Sequence, residues 1–240
     1  MCTNQHIIRF VTRNLSVIEI KIMHTFIPDL ILRSLEKKGS KAAEEVARVV
    51  IENEKGIDEL NHAASSDTKK LKNAAIKTLR IVSEHAPELT YFFIYYYDFL
   101  LGSQDNILKW NATFIITNHA AIDKENKIDE KLVKKLIIQL NDEVLITAAN
   151  TASCIWKIAK YKSQFRSMIT EALIKVDLTD RDQECKAILA GKAILALDQY
   201  WPLIDKKEEV LAFVNRHVKS SRSGTKKKAE KFMNRNRHSI

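Results

Sequence analysis

The sequence predicts an all-α fold, and three observations carry that prediction. Among 240 residues there are only five glycines and three prolines, far below average usage, which leaves little turn chemistry for hairpins and much room for helices on short loops. Apolar residues recur at i, i+4 and i+8 in four segments: Leu71/Ala75/Leu79, Leu108/Ala112/Ile116, Val144/Ala148/Ala152 and Cys185/Leu189/Ala193. Those offsets share one helical face, so each segment reads as a helix with a narrow stripe. An aspartate also stands shortly before each copy, Asp67, Asp105, Asp142 and Asp182. There it accepts hydrogen bonds from the unpaired first N–H groups and meets the positive end of the helix dipole.

Taken in order, residues 1–22 interrupt every apolar run with Arg, Asn, Glu or Lys and hold no signal-peptide core. The pattern becomes regular after Met23, which reads as an alternative start. Helices are expected at 25–37 and 41–53, the second with Ala42, Val46 and Val50 in the same rhythm. From there each unit reads as helix, acidic turn, helix. The first helices fall at 55–64, 90–101, 129–140 and 163–176, and the second helices begin at the four copies. After Pro202, "KKEEVLAFVNRHV" reads as a closing helix and "SSRSG" as a joint. "TKKKAEKFMNR" reads as a last helix with Thr225 as N-cap and a stripe of Ala229, Phe232 and Met233 suited to docking back on the array. The copies start 37, 36 and 41 residues apart, the period of a stacked helical array.

These residues resemble HEAT-repeat proteins, members of the armadillo-type superhelix group. In that family the turn aspartate is followed by an apolar residue, a basic residue and, three later, an alanine. Asp67/Leu71/Lys72/Ala75 and Asp105/Leu108/Lys109/Ala112 match this pattern. The third copy has Leu145 at the basic position, and the fourth has Lys186 but Leu189 where alanine is usual. The resemblance covers about residues 55–200. It implies an α-α superhelix of helical hairpins closed by capping helices: one solenoid domain over 1–218, and a basic C-terminal tail over 219–240 carrying a short capping helix.

The charge is as unevenly placed as the repeats are regular. Of 39 Lys and Arg, nine fall from Arg216 onward against the single acid Glu230, which leaves 30 basic and 29 acidic residues before them. Attraction to polyanions is therefore expected of the tail alone, through Arg222, Lys226, Lys227, Lys228, Lys231, Arg235 and Arg237. The longest apolar run, "YFFIYYYDFLL" at 91–101, is too short to span a bilayer. Cys2, Cys154 and Cys185 lie far apart with no zinc spacing and fit a reducing cytoplasm.

No nucleotide-binding glycine loop, metalloprotease helix, nucleophile elbow or deaminase signature occurs. The histidines are scattered; His62, His85 and His119 sit near expected helix ends and read as surface or capping residues rather than metal ligands. Asn111-Ala112-Thr113 spells a glycosylation triplet inside an expected helix and carries no weight. No cofactor, metal, membrane or small-molecule substrate is expected.

Two aromatic features remain. Tyr91, Phe92, Phe93, Tyr95, Tyr96, Tyr97 and Phe99 crowd one expected helix, which reads either as wedged and widely buried or as exposing an interaction patch. Trp110 stands two residues after Leu108, about 200° around the helix from the stripe. The HEAT resemblance implies that this side faces the concave groove or the seam with the next repeat. Residues at matching offsets are Lys77, Arg80, Phe114, Asn150, Ala187 and Gly191. The expectation is a non-enzymatic adaptor that takes a protein or peptide in the groove through Lys77, Arg80, Trp110, Phe114 and Asn150. The alternative is nucleic-acid binding through the tail. HEAT-like DNA alkylpurine glycosylases, which hold damaged DNA with concave basic and aromatic residues and a carboxylate, imply such parts for Trp110 and Asp142, although the near-neutral body departs from that pattern.

Overall fold

Every apolar stripe that falls in the described region becomes a helix. The computed structural model describes residues 41–53 and 56–236. Residues 1–22, the helix expected at 25–37 and Arg237 lie outside the described residues. Among the described residues there are helices and turns and no strand, in two compact units, one up to Val82 and one from Ser83 onward.

In the first unit, α1 (Lys41–Glu52) packs on α2 (Gly56–Ala64), and most of α3 (Lys69–His85) follows. Ala42, Val46 and Val50 of α1 are buried, as are Ala75 and Leu79 of α3. The start of α3 differs from the expectation. Ser66 Oγ, not Asp67, accepts a backbone bond there, from Thr68 N at 3.1 Å, because the helix begins two residues past the aspartate.

The second unit continues with α4 (Pro87–Tyr91), α5 (Ile94–Leu100), α6 (Asn106–Asn118), α7 (Glu130–Gln139), α8 (Leu145–Cys154), α9 (Trp156–Tyr161), α10 (Ser163–Leu173), α11 (Gln183–Asp198), α12 (Lys207–Arg216) and α13 (Ser223–Asn236). The turn aspartates do the work their spacing suggested. Asp105 Oδ1 accepts from Ile107 N at 2.9 Å, Asp142 Oδ1 from Val144 N at 2.9 Å, and Asp182 Oδ1 from Cys185 N at 2.8 Å. Each bond satisfies an amide that the helix itself leaves open. The helix expected over 90–101 is instead two, broken at Phe92 and Phe93, where the N–H of Phe93 closes a short turn onto the carbonyl of Thr90 at 3.1 Å. Beyond the break Ile94, Tyr97 and Leu100 are buried.

Two features show how the elements stack. The second helices form a row in which α6 packs on α8, α8 on α11 and α11 on α13. Several polar bonds between neighbouring hairpins join residues about one sequence period apart. Lys135–Asp98 spans 37 residues, Thr225–Ala187 38 and Arg216–Asp177 39. Those three separations fall within the spacing of the sequence copies. The exposed pairs contribute about 0–1 kcal/mol each; burial along the row supplies most of the stability.

The end of the row corrects one expectation. Thr225 is not the N-cap of α13: the helix starts at Ser223, and Thr225 is buried with its hydroxyl donating to the Ala187 carbonyl at 2.7 Å. Ala229, Phe232 and Met233 are buried beside it. This close approach requires Gly191, since a Cβ there would stand 2.6 Å from Thr225 Oγ1. Gly191→Ala is therefore expected to destabilise by about 1–2 kcal/mol, the overpacking cost exceeding the roughly 1 kcal/mol gained in helix propensity. Faster amide exchange across 225–236, with exchange in α6 unchanged, checks it. Protection equal to that of the unmodified protein contradicts it.

Candidate interaction surfaces

The residues expected to line a groove are only partly brought together. Trp110 and Phe114 lie edge to face on α6, ring centroids 6.3 Å apart at 84°, both half-buried. Asn150 is half-buried on α8, the helix that packs on α6. Lys77 is exposed and Arg80 half-buried on α3, within the first unit. At the C-terminal end of the same strip Ala187 and Gly191 are buried, with Thr225 of α13 against them. The last helix thus occupies the surface that the sequence leaves open.

Asp142 is committed to structure. Its carboxylate takes the Val144 amide and Lys109 Nζ, the latter at 2.9 Å, and its carbonyl accepts from Arg181. Asn111 is buried with its amide on the Ile107 carbonyl at 2.6 Å, so the glycosylation triplet is not at the surface. Cys154 is buried and Cys185 half-buried, both as free thiols. Among the described residues no three His, Cys, Asp or Glu are grouped to hold a metal ion, and no helix is long and apolar enough to cross a membrane.

The basic tail is folded and partly neutralised. Arg222 pairs with Glu184, Arg235 with Asp198 at 2.7 Å and Lys226 with Glu230 at 3.9 Å. Lys227 and Lys231 are exposed on α13, whereas Lys228 is half-buried. Burial, with Lys192 and Arg222 close by, holds the Lys228 ammonium below the ordinary lysine value.

The break between α4 and α5 produces the largest apolar exposure. Phe92, Tyr95 and Phe99 are 72%, 67% and 76% exposed, and Ile138 of α7 is 70% exposed. Phe99 and Ile138 flank a cavity of about 810 Å³. Two ion pairs also line it, Lys135–Asp98 at 2.6 Å and Lys109–Asp142 at 2.9 Å. A groove with apolar rims and a charge-paired lining anchors apolar side chains while fixing their register by polar contacts. Ile138 was not singled out from the sequence. Its adjacency to Ile137 was the available signal, because two neighbouring isoleucines on a helix about 100° apart cannot share one buried stripe.

A cluster of strongly perturbed ionisable groups forms a brace elsewhere. Asp123 accepts from Tyr91 Oη at 2.5 Å, from the amides of Lys127 and Ile128 at 2.8 and 3.1 Å, and pairs with Lys162 at 2.7 Å. Burial pushes its carboxyl up, but the Lys162 and Tyr91 bonds and the two amides outweigh that and hold it below the ordinary value. Burial and the adjacent Asp123 push the Tyr91 phenol up. His119 is buried, bonded through Nε2 to Thr90 Oγ1 at 2.7 Å, and burial lowers it to about 3. It occupies the C-cap position of α6, at the helix end as expected, but its side chain lies in the core rather than at the surface. None of these groups lines the groove, and every polar group that meets the Asp123 carboxylate holds it in place. The arrangement ties the 119–129 segment to α4 and to Lys162.

No family model matches the chain, and no curated protein matches it. A solved structure is similar: the crystal structure of an engineered protein from the Northeast Structural Genomics Consortium, 16% identical, with a TM-score of 0.53, covering 98% of this chain and 96% of that one. At that identity the likeness concerns the fold alone, and it accords with the all-helical architecture.

Proposed function

We propose that the chain is a non-enzymatic scaffold, a HEAT-like superhelix that docks a protein partner. Three inter-hairpin bonds that span 37 to 39 residues, close to the period of the sequence copies, support the superhelical reading. One observation carries the binding reading: Phe99 and Ile138, each at least 70% exposed, face the same 810 Å³ groove. Large apolar side chains clustered at a concavity mark a docking site more often than scattered ones do. The partner this surface fits is an amphipathic helix or extended peptide that places one or two apolar anchors between them. Trp110 and Phe114 on α6, with Asn150 on the adjoining α8, are less exposed candidates for the same role.

The test is affinity capture from native lysate with paired variants. Burying a phenylalanine or isoleucine side chain contributes about 1.5–3 kcal/mol, so Phe99→Glu with Ile138→Glu is expected to remove specifically captured proteins while the melting temperature stays within about 2 °C. Trp110→Ala with Lys77→Ala is expected to leave most of that set bound. Retention of the full set by the Phe99/Ile138 variant sinks the groove assignment, and loss only with the Trp110/Lys77 variant moves the site to the α6 strip.

A further inference from the structure

Two cavities are lined by residues that correspond at about two sequence periods, and their linings carry net charges of opposite sign. The groove beside α7 contains Lys109 and Lys135 against Asp98, Asp142 and Glu143, and each lysine has its acid. The second, of about 340 Å³, lies at the start of α11 and the segment that links α12 to α13. Asp177 stands there in the place of Asp98, Arg216 in that of Lys135 and Lys186 in that of Lys109. Ser220 and Ser221 stand where Asn141 and Asp142 do.

The exchange removes the acid. The turns before α6, α8 and α11 carry Asp105, Asp142 and Asp182, whereas residues 217–222, "HVKSSR", hold none. Arg216 keeps a counterion, its Nε and Nη2 lying 3.1 and 3.0 Å from the Asp177 carboxylate. Lys186 and Lys219 have no acidic partner among the described residues. The lining therefore sets Lys186, Arg216 and Lys219 against Asp177 alone, whose carboxylate is also bonded to His217 Nε2 at 3.0 Å, and adds the hydroxyls of Ser220 and Ser221. Cations that converge on one concavity repel each other unless an anion joins them. A phosphate monoester supplies two charges and three terminal oxygens, which suits ammonium and hydroxyl donors around a small cavity.

We propose that this cavity binds a phosphorylated serine or threonine side chain of a partner protein, its phosphate taking the place that the Asp142 carboxylate fills two hairpins earlier. A nucleic acid presents phosphates in a row and meets a track of cations; here the cations line one small pocket. This site is independent of the Phe99/Ile138 surface.

The experiment uses the full chain and three probes: N-acetyl-O-phosphoserine N-methylamide, its unphosphorylated counterpart and a single-stranded oligothymidylate. Amide chemical shifts are followed by NMR. The phosphorylated probe alone is expected to shift residues 219–222 saturably. Lys186→Ala and Lys219→Ala are each expected to weaken it about 10-fold or more. Ser221→Asp, which restores an acid to the turn, is expected to abolish binding without lowering the melting temperature, and Lys231→Ala on the outer face of α13 is expected to leave it unchanged. The proposal is overturned by the absence of a saturable shift, by equal shifts with the unphosphorylated probe, or by binding that Ser221→Asp leaves intact. It is equally overturned if the oligothymidylate binds in preference and Lys231→Ala removes that binding.

Discussion

Replacing Lys162 by alanine is expected to lower the free energy of unfolding by about 3–5 kcal/mol, the cost of leaving a buried charge without its partner. The Asp123 side chain is fully buried, and Lys162 Nζ supplies its counter-charge at 2.7 Å. The same ammonium donates to the Asp123 carbonyl and to Asn126 Oδ1. Asn126 adopts a positive φ of 54°, a conformation asparagine tolerates better than most residues, so Lys162 also holds the turn that this backbone requires. Removing the lysine leaves Asp123 with Tyr91 and two amides but no cation. The control is Lys134→Ala, which breaks the exposed Lys134–Glu130 pair and is expected to cost no more than about 0.5 kcal/mol. Denaturant midpoints for the two variants at neutral pH check the contrast. A Lys162→Ala loss below about 1 kcal/mol would falsify the view of this pair as a structural brace.

What the sequence made legible follows from which signals are local. The stripe at Leu108, Ala112 and Ile116 needed only a 3.6-residue period, and all three are buried. The Asp105 and Asp182 caps needed only a carboxylate within reach of an amide two or three residues on. Burial of Thr225 was illegible, because a threonine at the head of a polar segment reads as a cap unless the partner helix is known to offer a glycine at the contact. The Asp123 brace was equally hidden. Its members are 32 and 39 residues apart, and nothing local distinguishes Lys162 from a surface lysine. The aromatic run left two readings open, and the chain resolves them by breaking the helix, so that Tyr97 faces the core while Phe92 and Phe99 face solvent. Site residues were thus less readable than helices, since a helix is written in neighbours and a site in residues a full repeat apart.

That distance matters most for His119, whose burial sets an acid limit on the fold. Thr90 Oγ1 lies 3.1 Å from the Pro87 carbonyl oxygen. His119 Nε2 bonds to Thr90 Oγ1 at 2.7 Å, and Nδ1 has no partner among the described residues. Protonation would place a second N–H and a charge where nothing accepts them, and burial accordingly lowers the group to about 3. The unfolded chain binds that proton near pH 6.5. Because the unfolded state binds more protons over the whole interval between those values, stability is full above about pH 6.5 and is lost as pH falls toward 3. The slope approaches about 1.4 kcal/mol per pH unit, so about 2 kcal/mol is gone at pH 5. Asp123 acts lower: its folded value is depressed, so its contribution is present above the ordinary carboxylate value near 4 and is lost only as pH falls through the depressed value. Between pH 6.5 and 4 the loss from this brace therefore belongs to the imidazole. Urea unfolding of His119→Gln at pH 7, 6 and 5 is expected to show a stability lower at pH 7 but flatter with pH than that of the unmodified protein, by about 1 kcal/mol per unit between pH 6 and 5. Parallel slopes for the two proteins in that window are incompatible with a neutral, buried His119.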